Sequence, residues 1–479
     1  MATKYKRVAV IGAGPSGAAT VRALAQEGVF DTIRVFDQRH EVGGTWVYDE
    51  VPDEFPVPRP AAEEKIPVPA NLPALTAPAP PDPTVRTGLY QHLDSNVGAE
   101  IMSFTYAPFP MINSAFGVSR YGLNNPTRPW KVVKKYLEDL FAPYLQYLSL
   151  NTRVEKIEKV DDKWLLTLRR SNLVYQGKTH DFWWQETFDA VIAATGHYLI
   201  ANIPDVPGLA ETARAFPSKF EHSKAWRSAN NYVGKRVVVV GGNVSAADIV
   251  DELYSVAQAP LIVSQRSSNE ALENVFNLPN VVRKPGIKSV SPESGGTVEF
   301  ADGSRVQNTD KVIFATGYKL SYPYLPFPAV TPENRLAGFY QHIFNIGDPS
   351  LAVVGQVKAA LSFRVYEYQA VAVARFLAGR SKPLPSVEEQ RRWEEDRIRY
   401  KGSNNRFHEI KPDLGEYFNG LKQFAGPPAA GTDAYDLPAF QDDWAEKGFE
   451  ILQLKDKYWR SLRKEKAPAT IITTSKPKL

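Results

Sequence analysis

Residues 7–37 read RVAVIGAGPSGAATVRALAQEGVFDTIRVFD, and this stretch decides the fold. It contains an apolar strand-like run (Val8–Ile11), a glycine-rich turn, an alanine-rich helical segment (Ser16–Gln26) and a second strand-like run (Thr32–Phe36). Strand, helix and strand in this order form the repeating unit of parallel α/β sheets. The sequence therefore predicts an α/β fold with a doubly wound sheet.

The turn Gly12-Ala13-Gly14-Pro15-Ser16-Gly17 has the spacing of a phosphate-binding loop. Gly12 permits the tight turn, Gly14 lets the backbone approach a pyrophosphate, and Gly17 lets the helix pack on the sheet. The helix N-terminus offers N–H groups and a positive dipole to phosphates. Asp37, twenty residues after Gly17, would accept hydrogen bonds from an adenosine ribose. An ordinary strand-turn-helix connection is the alternative, but the strand, helix and acid together favour a dinucleotide site.

The same rhythm returns about 229 residues later and predicts a second doubly wound unit. It comprises Arg236–Val240, Ser245–Tyr254 and Leu261–Val263. In its loop, GGNVSA, Asn243 and Ala246 stand where the second and third glycines would be. Asparagine tolerates unusual backbone angles and alanine is small enough for helix packing, so the loop is weakened but not excluded as a phosphate site.

Twenty residues after Ala246 the second unit has Arg266 instead of an acid. A guanidinium can grip a 2′-phosphate in bidentate fashion, whereas a carboxylate would repel it. The second site is therefore expected to prefer NADP to NAD. The alternative is that Arg266 is simply a surface arginine at the end of a strand.

Composition excludes several classes of protein. The 479 residues, 43% of them hydrophobic, are enough for two or three domains, and a net charge of +4 gives no case for a nucleic-acid or membrane-surface partner. The absence of cysteine excludes disulfides, thiolate metal sites and a thiol redox pair, and no metal site is predicted. With no signal-like or membrane-spanning run, we expect a soluble, cytoplasmic protein.

Three further segments have a clear local pattern. Eleven prolines between Pro52 and Pro83 predict an extended surface insertion. Pro385–Arg399 predicts a capped, charged helix, and Asp436–Arg463 predicts more helix near the end. The basic C-terminal tail is interpreted as a solvated, frayed end, and its last residues, Pro477-Lys478-Leu479, only loosely resemble a peroxisomal address.

Several motifs occur in order between about Arg7 and about Phe424. They are Asp37 with Gly43-Gly44-Thr45-Trp46; Tyr90, Leu93, Asn96, Met102, Phe104 and Pro108-Phe109-Pro110; Ala194-Thr195-Gly196; Phe216–Arg227, with Ser218 in place of a glycine; and Ala315-Thr316-Gly317-Tyr318. Together they resemble the class B flavoprotein monooxygenases, specifically the flavin-containing monooxygenase family. The family usually has Glu where this chain has Asp37.

The resemblance implies two Rossmann-like domains, with an NADPH domain inserted in an FAD domain. Residues 1–203 would form the first part of the FAD domain, with the insertion at 52–83. Residues 204–323 would form the NADPH domain, and residues 324–479 would complete the FAD domain and add a helical C-terminal segment.

The resemblance also implies the cofactor ligands. For FAD they are Gly12, Gly14, Pro15, Ser16, Gly17, Asp37, Gly44, Thr45, Trp46, Leu93, Asn96, Val154, Thr195 and Gln356. For NADP they are His222, Gly241, Asn243, Ser245, Ala246, Arg266, Thr316, Gly317 and Tyr318. Asn96 matches the active-site asparagine, His222 is expected to position the domains, and Gln356 is expected beside the flavin pyrimidine, before a helix whose dipole faces the ring.

The activity implied is NADPH-driven reduction of FAD, reaction with O2 to a C4a-hydroperoxyflavin, and oxygen transfer to a soft nitrogen or sulfur of a small molecule. One alternative is a Baeyer-Villiger monooxygenase acting on a ketone, towards which Trp226 leans, whereas Ser223 and Arg227 favour heteroatom oxygenation. Others are an N-hydroxylase of a basic amino acid and a catalytically idle flavoprotein. A homodimer is possible.

Overall fold

The computed structural model describes residues 3–56, 66–80, 82, 85–267, 269–358 and 361–464. The strands are β1 Arg7–Ile11, β2 Thr32–Phe36, β3 Ala74–Thr76, β4 Leu148–Ser149, β5 Thr152–Val160, β6 Lys163–Tyr175, β7 Lys178–Phe188, β8 Ala190–Ala193, β9 Ile200–Ala201, β10 Phe220–His222, β11 Val237–Val240, β12 Leu261–Ser264, β13 Val281–Lys284, β14 Ile287–Ser291, β15 Thr297–Phe300, β16 Arg305–Val306, β17 Lys311–Phe314, β18 Tyr318–Lys319, β19 Phe339–Tyr340, β20 Phe344–Asn345 and β21 Leu351–Val353.

The helices are α1 Pro15–Glu27, α2 Ala99–Met102, α3 Ala115–Tyr121, α4 Trp130–Phe141, α5 Leu209–Ala215, α6 Val244–Leu253, α7 Glu273–Phe276, α8 Phe363–Leu377, α9 Val387–Lys401, α10 Leu414–Ala425 and α11 Trp444–Lys464. The α/β fold predicted from the sequence is confirmed.

A seven-stranded sheet with the order β19-β20-β21-β8-β1-β2-β4 carries the first glycine loop. Its central strand β1 is almost wholly buried, as expected for a parallel strand covered on both faces, and it pairs in parallel with β2 and β8. Helices α1 and α8 pack against each other in the core beside this sheet. The sheet therefore fixes where the loop after β1 points.

A five-stranded parallel sheet, β10-β17-β11-β12-β13, carries the second glycine loop. All its strands lie between β8 and β21, which are neighbours in the seven-stranded sheet. The second unit is thus inserted into the first, as predicted. Its core gathers apolar side chains of β11, β12, α6 and α7.

The proline-rich insertion contributes an edge strand. β3, within the insertion, pairs only with β7 in the antiparallel sheet β3-β7-β6-β5. An edge position suits this proline-rich segment, because proline has no N–H to donate and an edge strand needs hydrogen bonds on one side only. Residues 57–65, 81 and 83 of the predicted insertion lie outside the described residues, as does the basic tail from 465. The tail's earlier basic residues, from Lys455 to Lys464, belong to α11, where Lys455 pairs with Asp248, so the prediction of a frayed end is wrong for this part.

The C-terminal helices match the prediction in part. α9 begins with a capping box, in which Ser386 accepts from the Glu389 backbone and the Glu389 carboxylate accepts from the Ser386 backbone. α11 begins at Trp444, so the predicted start at Asp436 is wrong. Trp444 packs in the core of the seven-stranded sheet, whereas Trp459 packs in that of the second unit. One helix therefore connects the two cores.

In the part of the chain that the structure describes, no helix combines the length and the apolar character that a membrane crossing requires.

Candidate active site

A cavity of about 3100 Å³ is lined by both glycine loops. Typical small-molecule sites measure roughly 300–1,000 Å³, so this space can hold more than one ligand of that size. Its wall also includes residues from the proline-rich insertion, both Ala-Thr-Gly segments and the loop around Asn96. Among the described residues, no group of His, Asp and Glu is arranged to hold a metal ion.

The first loop is shaped by two close backbone contacts. Gly12 has φ +113°, and a Cβ on it would lie 2.5 Å from the Ala194 carbonyl oxygen. A Cβ on Gly17 would collide with the Gly12 carbonyl oxygen. Gly14 is extended (φ −87°, ψ −166°), and its Cβ would meet Gly44 at 3.4 Å. Glycine is thus required for space at position 17 and for both space and backbone angle at position 12.

Asp37 ties the end of β2 to this loop. Its carboxylate accepts hydrogen bonds from the backbone N–H of Ala13, at 2.6 Å, and of Arg39, at 2.8 Å. Burial raises the pKa of Asp37, against the lowering effect of these two bonds. The residue lines the cavity, and two N–H donors leave a carboxylate further acceptor capacity. Its predicted bond to a ribose stays a prediction.

The second loop has the same first position and a different second one. Gly241 has φ +144° and lies against the carbonyl of Ala315, as Gly12 lies against Ala194. Asn243 is extended (φ −118°, ψ −171°), and its side-chain oxygen accepts a hydrogen bond from Val244 N–H at the start of α6. Any residue can adopt this extended backbone. The prediction that asparagine is suited to this position by its tolerance of unusual backbone angles is therefore wrong. Asn243 acts here as a helix cap.

Arg266 follows β12 and lines the cavity. It is exposed, and among the described residues no carboxylate forms an ion pair with it. Ser267 and Asn269 line the same part of the wall. The guanidinium is thus placed where a ligand of the second loop could reach it.

The two Ala-Thr-Gly segments meet at the crossing between the units. Tyr318 of β18 pairs with Ala201 of β9, and the Asn202 backbone N–H donates to the Gly317 carbonyl at 2.9 Å. The Thr195 and Tyr324 hydroxyls are 3.2 Å apart. These bonds join the segment that leaves the first unit to the one that returns to it.

His222 fixes this crossing from the second unit. Its Nδ1 accepts from the Lys224 backbone N–H, so Nε2 carries the proton and donates to the Gly317 carbonyl at 2.9 Å. Burial lowers the pKa of His222 to about 4, so the ring is neutral at neutral pH. His222 is not on the cavity wall. Its contacts agree with positioning of the domains and give no direct contact to a ligand in the cavity.

Most of the predicted ligands do line the cavity. For the first unit these are Gly12, Gly14, Pro15, Ser16, Asp37, Gly44, Thr45, Trp46, Leu93, Asn96, Val154 and Thr195. For the second unit they are Gly241, Asn243, Ser245, Arg266, Thr316, Gly317 and Tyr318. Gly17, His222, Ala246 and Gln356 do not line it.

Gln356 lies behind the wall. Its side-chain oxygen accepts from the Tyr322 hydroxyl at 2.7 Å, and its side-chain nitrogen has no partner among the described residues. The next helix, α8, begins only at Phe363, so a helix directly after Gln356 is not observed. Gly355, in contrast, lines the cavity and packs against Ser16 of the first loop.

Asn96 is exposed on the cavity wall, and its carboxamide makes no hydrogen bond to a described residue. The flanking backbone is fixed: the Ser95 N–H donates to the Arg128 carbonyl at 2.8 Å, and the Trp130 N–H donates to the Leu93 carbonyl at 3.1 Å. The Arg128 guanidinium is 2% exposed and donates to three carbonyls, those of Pro110, Asn125 and Thr127. Sequence reasoning missed Arg128. Asn125 and Thr127 are close to it in the chain, but its bond to Pro110 depends on how the loop folds back.

Arg227 was also missed as a structural link. Its guanidinium is buried and donates to the carbonyl of Asp49, at 2.6 Å, and of Thr87, at 3.1 Å. It connects the end of the Phe216–Arg227 motif to two segments of the first unit. Its place in that motif marked Arg227 in the sequence. The motif did not indicate which carbonyls its side chain would bind.

Two further wall residues had little signal in the sequence. His197 follows the first Ala-Thr-Gly segment, and its Nδ1 is 3.0 Å from the Gly355 carbonyl oxygen. Burial lowers the pKa of His197 to about 4. Lys358 lines the same cavity, and burial lowers the pKa of its ammonium.

Comparison with known proteins gives a consistent result. The sequence profile described as flavin-binding monooxygenase-like matches residues 82–279 and 268–429, and that of an NAD(P)-binding Rossmann-like domain matches residues 10–62. Flavin-containing monooxygenase FMO GS-OX1 of Arabidopsis thaliana is 30% identical over 78% of this chain and 74% of its own length. Flavin-containing monooxygenase ustF2 of Aspergillus flavus is 26% identical over 92% of this chain and 96% of its own.

Solved structures share the fold. The S-allyl-L-cysteine S-oxygenase of Allium sativum superposes with a TM-score of 0.72 at 23% identity, over 97% of this chain and 96% of the other. An open structure of cyclohexanone monooxygenase superposes with a TM-score of 0.55 at 15% identity, over 88% and 97%.

Proposed function

This chain belongs to the flavin-binding monooxygenase-like family, and from this premise we propose that it uses FAD and NADPH to transfer one oxygen atom from O2 to a soft nitrogen or sulfur atom of a small molecule. One observation supports this most directly: both glycine loops and Asn96 line a single cavity. A flavin on the first loop and a nicotinamide on the second would meet there.

The first loop fits FAD. α1 starts without a side-chain cap, so its first N–H groups are available to a pyrophosphate, and Gly14 and Gly44 leave no side chain in the way. We expect Asp37 to hold the adenosine ribose. The side chains expected along the rest of the cofactor are Thr45, Trp46, Leu93, Val154 and Thr195. FAD bound there supplies the redox chemistry with NADPH and O2.

The second loop fits NADPH less tightly. Asn243 lines the cavity and caps α6 with its side chain. Arg266 is the cation expected to bind the 2′-phosphate. We propose that residues 204–323 are the NADPH domain, between residues 1–203 and 324–479 of the FAD domain. His222 and the paired strands β9 and β18 would hold the domains in one orientation.

Asn96 is proposed to donate a hydrogen bond at the reacting edge of the flavin. Its carboxamide faces the cavity without a partner among the described residues, while the backbone beside it is held by Arg128 and Trp130. A donor fixed before reaction stabilises charge as it develops without paying for reorganisation at that moment. The aromatic wall residues Trp46, Tyr198, Tyr318 and Tyr366 would limit water around it.

Oxygen transfer to a heteroatom is favoured over ketone oxidation. Trp226, the residue that leans towards the ketone-oxidising relatives, is 1% exposed and stacks on Tyr232 with ring centres 4.7 Å apart. Trp226 also lines the cavity, but most of its surface packs in the second core. One structural neighbour is an S-oxygenase of S-allyl-L-cysteine, and sulfur is the first acceptor that we would test.

The test is turnover of the FAD-loaded protein with NADPH, 18O2 and methyl p-tolyl sulfide, with benzyldimethylamine and cyclohexanone in parallel. We expect labelled sulfoxide or N-oxide formed in step with NADPH consumption, and no lactone. Lactone as the main product would refute heteroatom oxygenation. A protein that stays colourless with added FAD would refute the whole proposal.

A further inference from the structure

One wall of the cavity carries positive charge that neither proposed cofactor site uses. It presents Lys358, Arg406 and Lys411 to the cavity, and the wall residues around them are Gly355, Val357, Leu361, Ser362, Phe363, Asn405 and Glu409. Among these described residues, Glu409 is the only acidic one. The wall therefore has an excess of cations.

Lys358 is held in place by its backbone. Its N–H donates to the His408 carbonyl at 2.8 Å, and the Ile410 N–H donates to the Lys358 carbonyl at 3.2 Å. These bonds make Lys358 a bridge partner of Glu409. The side chain thus leaves a fixed point on the wall, unlike a lysine on a free loop.

Among the described residues, the ammonium of Lys358 forms no ion pair. It is partly buried, yet within the described ranges no carboxylate forms an ion pair with it, and no side chain accepts a hydrogen bond from it. Burial lowers its pKa, and only Glu409 acts in the other direction. An unpaired cation away from water is costly, and an anionic ligand would remove that cost.

The neighbouring histidine cannot take this role. His197 is neutral at neutral pH, because burial first and Lys358 second lower its pKa to about 4. Its Nδ1 is hydrogen-bonded to a carbonyl, that of Gly355, so the proton is on Nδ1 and the other ring nitrogen can only accept. Among the groups beside Gly355, Lys358 is the donor suited to an anion.

We propose that Lys358 binds a carboxylate of the substrate. Arg406 and Lys411, both exposed, would draw the anion towards the cavity by their charge. The inference rests on the proposed function and narrows it to thioethers or amines that also carry an acidic group. The oxygenated atom would be held at the other end of the same molecule.

The test compares two ligands that differ in charge alone, 4-(methylsulfanyl)butanoate and its primary amide. Their dissociation constants are measured by calorimetry on the oxidised protein loaded with FAD and NADP+, so that no turnover occurs. We expect the carboxylate to bind about tenfold more tightly, from one charge-assisted hydrogen bond. Lys358→Met should abolish that preference and leave amide binding unchanged, and Lys358→Arg should keep most of it.

Lys319→Met is the matched control, since Lys319 is an exposed lysine elsewhere on the same cavity wall, and it should keep the full preference. Equal binding of the two ligands by the wild type, or no binding of either, overturns the proposal. So does a Lys358→Met protein that loses FAD or weakens both ligands equally, because Lys358 would then serve a cofactor. Formation of sulfoxide and N-oxide is measured separately, with the acceptors of the first test. A carboxylate preference with neither product refutes the oxygenase and leaves this inference standing. Product formation without the preference refutes this inference and leaves the oxygenase standing.

Discussion

The two glycine loops of this chain share one position and differ at the next two. Gly12 and Gly241 both have positive φ, and each lies against the alanine carbonyl of an Ala-Thr-Gly segment. At the third position Gly17 leaves no room for a Cβ, whereas the second loop accommodates the buried methyl of Ala246. The first position therefore sets the turn, and the third reports how closely the helix approaches it.

The second position differs in its neighbours and not in its backbone. Gly14 and Asn243 are both extended, with φ −87° and −118°. Gly14 faces Gly44, while the Asn243 side chain turns to cap α6. A missing glycine in such a loop thus does not by itself indicate a lost phosphate site; what packs against the position decides.

The largest effect should come from exchanging the third positions. Gly17→Ala places a Cβ on the Gly12 carbonyl, so we expect a loss of more than about 3 kcal/mol in the free energy of unfolding, or displacement of α1. The purified protein should have lost its flavin, which absorbance at 450 nm measures.

The matched exchange in the other loop, Ala246→Gly, should be mild. It removes one buried methyl and adds a glycine to α6, at about 1–2 kcal/mol, without changing FAD content. If Gly17→Ala keeps full FAD, or if Ala246→Gly harms the protein as much, the two loops are not as different as their contacts indicate.

The two crossing segments extend the comparison to pH. His197 donates to the Gly355 carbonyl and His222 to the Gly317 carbonyl, and burial lowers the pKa of each to about 4. Between pH 6.5 and pH 4 these histidines are protonated in the unfolded chain but neutral in the native protein. The stability that the two neutral histidines contribute is therefore complete above pH 6.5 and is lost as the pH falls towards 4. Each could account for up to about 3 kcal/mol.

Urea unfolding between pH 7 and pH 4 measures this loss. His222→Gln retains a donor for the Gly317 carbonyl but cannot titrate, so its unfolding free energy should depend less on pH than that of the wild type. An equal slope in the two proteins would show that His222 does not contribute.

The sequence predicted much of the fold because the signals were local. Both strand-loop-helix units and the capped helix α9 depend on residues close together in the chain. The insertion of one unit in the other is not local, and it was expected only from the family resemblance. The start of α11 was placed too early, at Asp436, because Pro438 was overlooked: a proline in a helix interior removes a hydrogen bond, and α11 begins after it, at Trp444.

The predicted ligands that line the cavity come from motifs, whereas contacts between separate segments gave no signal in the sequence. Arg128 donates to the Pro110 carbonyl, and Lys358 pairs with residues 408–410. Neither pairing has a periodicity or spacing in the chain. For Asn243 the place in the loop was predicted correctly, but its backbone conformation was not. Its role as a cap depends on the helix that follows.

A smaller effect is expected at Arg266, which occupies the position that the acidic Asp37 holds in the first unit. Arg266→Met should raise KM for NADPH by about tenfold to a hundredfold, the loss of one charge-assisted contact to the 2′-phosphate. KM for NADH, which has no such phosphate, is the internal control and should not change. Equal losses with both coenzymes would mean that Arg266 does not read the phosphate.

The smallest effect should be at Asn243. The change in NADPH affinity on mutation shows whether this residue only caps α6 or also obstructs the phosphates. If the residue only caps α6, Asn243→Ala should cost about 1 kcal/mol in unfolding free energy, while Asn243→Gly, which restores the glycine of the first loop, should cost a few tenths. Both should leave KM for NADPH within about twofold, because the backbone at this position is already extended. A clear gain in NADPH affinity for Asn243→Gly alone would show instead that the asparagine side chain obstructs the phosphates, and that the second loop binds its dinucleotide less closely than its backbone allows.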